Sequence, residues 1–257
     1  MKLKNKIALI TGASSGIGEA CAKAFASEGA NLILTARRKD RLDILKDDLM
    51  SKYDVKIHNI QLDVRYYEEV ESQLNSLPDD FQNIDILINN AGKALGVEKI
   101  QAGLLDNWEE MIDTNIKGLL YVTRIVVPKM IERTAGHIIN IGSIAGHEVY
   151  IGGNVYCASK YAVRALSKGM ALDLNGTGIK VTSVDPGMVE TEFSIVRFKG
   201  DTQKADAVYQ GLEPLSAADI ADIILFAATR PSNVNIQTIV ATPTAQASAT
   251  IVNRKGM

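Results

Sequence analysis

Cysteine is scarce, with Cys21 and Cys157 the two in 257 residues. They stand far apart, with no Cys-x-x-Cys or Cys/His cluster beside them, which argues against a disulfide framework or a metal site. Charge of one sign is lacking too: 28 Lys+Arg against 30 Asp+Glu leave a net charge of −2 and a pI near 6.0. No basic field therefore exists for a nucleic-acid backbone or an anionic membrane, and neither is an expected partner. Apolar runs all fall short of the roughly 18 residues that span a bilayer. The opening MKLKNKIALITGASSG runs into a glycine-rich turn rather than a cleavage site, so the expectation is a soluble, cytoplasmic protein. Repeats, low-complexity tracts and Pro/Gly/Ser linkers are missing as well, and 46% hydrophobic content over this length is enough for one sizeable core. A single domain over 1–257 is expected.

What is present is an alternation of short β-branched or Leu-rich runs with longer amphipathic stretches, the pattern of βαβ units. Strands are expected at 7–11, 31–35, 56–61, 84–89, 136–141, 180–184 and 237–241, and helices at 16–28, 40–52, 66–77, 106–133, 153–173 and 217–229. The predicted fold is α/β: a doubly wound Rossmann fold with seven parallel strands in one sheet and helices on both faces. The stretch 190–213 is its longest excursion, the first place to look for substrate selection, and 242–257 forms a C-terminal tail.

The first strand ends in TGASSGIG, with Gly12, Gly16 and Gly18 directly before a helix. Glycines there let the backbone approach a pyrophosphate, and the helix offers free N–H groups; the same turn also serves a purely structural βα connection. The second strand ends Thr35-Ala36-Arg37-Arg38, with no acid to accept a ribose 2′-hydroxyl. Two guanidinium groups suit a 2′-phosphate, which favours NADP(H) over NAD(H).

In NVYCASKYAV, Tyr156 and Lys160 are four residues apart and share a helix face. A phenol titrating near ~10 needs a neighbouring cation to act as a base at neutral pH. Alone, that spacing is also that of an ordinary helix surface. Ser143 in NIGSIAG, after the fifth strand, NNAG after the fourth, and Asn115 in DTNIKG bring further polar groups to one sheet edge.

TGASSGIG, LDV, NNAG, Asn115, Ser143, Tyr156-x-x-x-Lys160 and DPGMVET, in this order, resemble the short-chain dehydrogenase/reductase family over residues 6–245. The resemblance implies that Tyr156 is the acid/base, that Ser143 orients the substrate oxygen, that Lys160 binds the nicotinamide ribose and tunes the tyrosine, and that Asn115 holds a connecting water. It also implies cofactor contacts from Gly12, Ser14, Ser15, Gly16, Ile17 and Gly18 in the turn, Asp63 and Val64 at the adenine, Asn90, Ala91 and Gly92 at the central sheet, and Pro186, Gly187, Val189 and Thr191 on the nicotinamide side. No metal is called for. A homotetramer, with the two long helices paired between subunits, is the family's usual assembly.

PGMVETEFSIVRFKGD, LDVR, INNAGKALG, MIDTNIKGLLYVTR, GGNVYCASK and the tail PTAQASATIV are similar to the NADP-dependent 3-hydroxy acid dehydrogenase subgroup. Serine, allo-threonine and 3-hydroxypropionate are the substrates this implies. Such a substrate needs a fixed cation or several N–H donors; Arg197 is the candidate cation, its other reading a solvent-facing arginine beside Lys199, and His147 and Tyr150 are candidate lining residues that packing would explain equally. A 3-oxoacyl-carrier-protein reductase, a reductase of small sulfonated aldehydes and a non-catalytic NADP(H) sensor are the competing readings; the sensor has no need of Tyr156, Lys160, Ser143 and Asn115 together.

Overall fold

Apolar strands and one-sided helices bury each other when parallel strands lie side by side with helices on both faces. A computed structural model describes residues 1–256 and takes that arrangement. Strands are β1 (Ile7–Thr11), β2 (Asn31–Ala36), β3 (Ile57–Gln61), β4 (Ile86–Asn89), β5 (Gly136–Ile141), β6 (Ile179–Pro186), the short β7 (Val189–Glu190) and β8 (Leu215–Ser216), and β9 (Thr238–Ala241). Helices are α1 (Gly16–Ser27), α2 (Lys39–Lys52), α3 (Tyr67–Asn75), α4 (Leu105–Ile112), α5 (Leu119–Glu132), α6 (Asn154–Asp173), α7 (Glu192–Arg197), α8 (Thr202–Ala207) and α9 (Ala217–Ala228).

Seven strands form one parallel sheet in the order β3-β2-β1-β4-β5-β6-β9. Side chains alternate across it with the period of two that a strand imposes. Ala8 and Ile10 of β1, with Leu32, Leu34 and Ile88, pack against Phe25 of α1, Leu42 of α2 and Ile224 of α9. Leu9, Ile33, Leu87 and Ile138 pack on the opposite face against Val70 of α3 and Val122, Val126 and Met130 of α5. The chain winds outward from β1 to β3, then returns to β4 and winds the other way. That reversal opens a crevice at the carboxyl ends of β1 and β4.

Two expectations need correction. The predicted helix 106–133 is unbroken but not α-helical throughout: Asp113–Gly118 is a π-helical stretch between α4 and α5. Such widened turns cluster at functional sites, and this one contains Asn115. Its last residue presses so closely on the loop after β3 that a Cβ on Gly118 would stand 2.6 Å from Val64 Cγ2. The excursion at 190–213 holds secondary structure of its own. The β7–β8 pair closes its base, and α7 and α8 are capped by Thr191, which accepts from Phe193 N, and Asp201, which accepts from Lys204 N.

Candidate active site

The turn after β1 needs backbone angles that only glycine adopts freely: φ is +68° at Gly12 and +57° at Gly16. Gly18 is required for closeness instead, because a Cβ there would come within 2.5 Å of Gly12 O and Asn90 Nδ2. Thr11 ties this turn to the one after β4. Its hydroxyl accepts from Asn90 N and Ala91 N at 3.0 Å each, while Asn90 Nδ2 donates to Thr11 O at 2.8 Å. Gly12, Ser14, Ser15, Gly16 and Ile17 line one wall of a cleft of about 490 Å³, and Asn90, Ala91 and Gly92 line the adjoining floor.

Arg37 and Arg38 mark the far end of that cleft. Arg38 lies along the glycine turn, donating from Nε to Ser14 Oγ (3.2 Å) and from an Nη to Ser15 Oγ (2.8 Å), while its other Nη meets Glu192 at 2.9 Å. Asp63 is gripped by Arg65 through bonds of 2.7–3.0 Å. Burial works against its ionisation, yet the Arg65 bonds hold the Asp63 carboxyl below its ordinary range. Arg65 and Lys93 share Glu110, at 3.2 and 2.5 Å, with Arg37 at 3.8 Å. Two buried hydroxyls that line the cleft, Thr35 Oγ1 and Thr114 Oγ1, have no partner among the described residues. Unpaired groups of this kind favour a polar ligand. Glycine turn, arginine pair and open hydroxyls together fit a phosphorylated dinucleotide.

Between β5 and α6 the cleft is lined by Ser143, Tyr156 and Lys160. Ser143 Oγ accepts from Ala145 N and donates to Pro186 O at 3.4 Å. Burial pushes the Tyr156 phenol up and Tyr150 adds to this, while the Ser143 hydroxyl and the Arg197 charge pull it down. Lys160 is 6% exposed, donates to Ile141 O at 2.8 Å, and stands 5.9 Å from the Tyr156 ring centroid. Burial lowers its ammonium to about 8, with the Asp185 charge opposing. Asn115 stands behind the lining: its Nδ2 donates to Lys93 O and Ser159 Oγ and its Oδ1 accepts from Lys93 N, all at 2.9 Å.

The third wall comes from the segment after β6. Pro186, Gly187, Val189 and Thr191 line it, with Phe193 edge-on to Tyr156 at 5.8 Å between ring centroids. Arg197 lies 5.5 Å from the Tyr150 ring and 6.0 Å from the Tyr156 ring, its backbone joined to Gly96. Tyr150 thus reaches the cleft, but His147 does not line it. The His147 ring turns instead to Asp185, with Nε2 2.6 Å from Oδ2, because the turn after Ser143 folds back onto the end of β6.

The profile of the short chain dehydrogenases matches residues 6–201. The chain belongs to the short-chain dehydrogenase family. The NADP-dependent 3-hydroxy acid dehydrogenase YdfG of Escherichia coli K12 is 48% identical over 244 residues, covering 95% of this chain and 97% of that one. Sulfoacetaldehyde reductase 2 of Chromohalobacter salexigens is 47% identical over 250 residues, covering 96% and 98%. Among solved structures, the closed form of serine dehydrogenase complexed with NADP+ superimposes with a TM-score of 0.91 at 47% identity, covering 97% of this chain and 100% of that one.

The site of this short-chain dehydrogenase also contains residues that its sequence motifs did not single out. Thr11 is one. Glu192 is another, bridging Arg38 and Arg41 (2.6 Å) from the start of α7. Gln246 in the tail is buried, and its Oε1 accepts from Met188 N at 2.8 Å, bracing the loop after β6. Glu192 lies just past DPGMVET, within the run PGMVETEFSIVRFKGD; Thr11 and Gln246 had no signal beyond the motif and tail that contain them.

Proposed function

We propose that this short-chain dehydrogenase oxidises the 3-hydroxyl of a small 3-hydroxy acid, and reduces the matching carbonyl in reverse, with NADP(H) as its cofactor. The observation that carries this reading is the Arg197 guanidinium 6.0 Å from the Tyr156 ring, a fixed cation beside the proton-transferring phenol. A 3-hydroxy acid has its carboxylate close to the reacting carbon, so one end can meet Arg197 while the hydroxyl meets Tyr156 and Ser143.

The cofactor supplies the acceptor for the hydride that leaves the substrate carbon. Gly12, Ser14, Ser15, Gly16 and Ile17, Asp63 and Val64, Asn90 to Gly92, and Pro186, Gly187, Val189 and Thr191 are the residues that would hold it, with Gly18 keeping the turn closed, and Ser14, Arg37 and Arg38 suit its 2′-phosphate. Tyr156 takes the hydroxyl proton, Ser143 orients the oxygen, and Lys160 as ammonium favours the phenolate. Asn115 fixes the loop after β4 to α6, so that Tyr156 and Lys160 keep facing the crevice. Serine, allo-threonine and 3-hydroxypropionate are the expected substrates, and the similarity to the Escherichia coli and serine dehydrogenase relatives supports them.

A second reading, reduction of a small sulfonated aldehyde, is favoured by the Chromohalobacter relative, and Arg197 suits a sulfonate as it does a carboxylate. Ranking kcat/KM for serine, allo-threonine, 3-hydroxypropionate and isethionate with NADP separates the two. Hydroxy acids leading supports the first reading and isethionate leading the second; no turnover with any of them defeats both. We also propose a homotetramer in the cytoplasm; the exposed Leu105, Ile112, Leu120, Tyr161 and Leu172 on α4 to α6 speak for the assembly.

A further inference from the structure

Behind the catalytic wall lies a buried carboxylate that the reaction as described does not use. Asp185, at the end of β6, is 1% exposed. Its Oδ1 accepts from Ser183 Oγ at 2.6 Å, and its Oδ2 lies 2.6 Å from His147 Nε2. The carboxylate is pressed against the turn that carries Ser143, so tightly that a Cβ on Gly142 would stand 1.9 Å from Oδ1. The residue before Gly142 is Ile141, whose carbonyl holds Lys160 Nζ at 2.8 Å. One short turn therefore separates a buried anion from a buried ammonium. In a water-poor interior such charges act on each other strongly.

We infer that Asp185 is the counter-charge of Lys160, a positioning residue that acts on the reaction through the lysine, and that His147 divides that charge between the active site and the outer face of the turn. The inference rests on the reading of Tyr156 and Lys160 as the proton-transfer pair. With the imidazole protonated, Asp185 is spent in an ion pair with His147. With the imidazole neutral, the whole charge bears on Lys160. The His147 side chain is 22% exposed and does not line the cleft, so the imidazole meets solvent on the outside of the turn. The other charged or titratable groups facing the turn come from α6. Tyr161 OH donates to His147 O at 2.5 Å, and Arg164 donates to Gly146 O at 3.4 Å. Glu148, the next residue, is turned to the tail, where it accepts from Ala249 N at 3.0 Å. The direction of the Asp185 effect on Lys160 agrees, since the carboxylate opposes the loss of the ammonium that burial favours.

The sign follows. Removing the anion makes Lys160 lose its proton at lower pH, whereas removing the imidazole cannot, because it leaves the carboxylate unshared. The test is the pH profile of kcat/KM for the NADP-linked reaction in wild type, Asp185→Asn and His147→Gln, with thermal unfolding of each. We expect Asp185→Asn to move the limb belonging to Lys160 down by roughly 0.5–1 pH unit, and His147→Gln to leave it in place or move it up. An Asp185→Asn profile that overlays wild type overturns the inference. So does an equal downward shift in both variants, which would make the pair a mere brace for the turn. Tyr156→Phe is run beside them: if it stays active, the proton-transfer assignment itself has failed, whatever the two profiles show.

Discussion

Burial lowers the Lys160 ammonium to about 8, against an ordinary 10.5. The unfolded chain therefore binds more protons than the folded one between about 8 and 10.5, and this site's contribution to stability rises with pH across that window. Below about 8 its penalty is complete, on the order of 3 kcal/mol. Lys160→Met should accordingly unfold at a higher temperature than wild type at pH 7, by a margin that shrinks as pH climbs past 8, while losing activity. Thermal scans at pH 7 and pH 10 check this, and a variant less stable at pH 7 would refute it. Tyr156 and Lys160 were legible as a pair because helix spacing fixes which residues share a face, and Ser143 because a strand end fixes where a ligand sits. His147 was not, since four residues beyond Ser143 the direction of a side chain depends on how the turn folds, which no local periodicity encodes. Asp185 drew no notice within its motif, because its partners, Ser183 apart, are far away in the chain.

Elements repeat that contrast. All seven strands of the main sheet were readable from apolar runs, with ends displaced by no more than a residue or two. The π-helical stretch at Asp113–Gly118 was not, because one widened turn leaves the amphipathic pattern on either side intact. Six-residue helices such as α7 and α8 are too short to show a period, and they form here through caps and tertiary contacts. Yet α7 brings Phe193 and Arg197 over Tyr156, so the proposed substrate contact falls on the element that periodicity describes least. Arg197→Ala should raise KM for serine or 3-hydroxypropionate by about 10-fold or more, the cost of a lost charged bond, with a smaller change in kcat. Steady-state kinetics decide it: an unchanged KM would remove Arg197 from the carboxylate role.

At the scale of the molecule, no described helix is long and apolar enough to cross a membrane, and no described cluster of His, Cys, Asp or Glu could hold a metal ion. The exposed apolar residues on α4 to α6 need another explanation, and burial between subunits supplies one. Sedimentation or light scattering should give a mass of about 111 kDa, four times 27.8 kDa; a monomer would contradict the proposed assembly. Charged substitutions at Leu120 and Leu172 should then split the tetramer.

The fold and the cofactor cleft support one proposal, that Arg37 and Arg38 select NADP for the oxidation of a small 3-hydroxy acid. Its most direct test is the ratio of kcat/KM for NADP to that for NAD, measured by the rate of nicotinamide reduction with 3-hydroxypropionate at saturation. The account predicts a ratio of about 100 or more in favour of NADP, the worth of a phosphate held by charged bonds. A ratio at or below about one would contradict it.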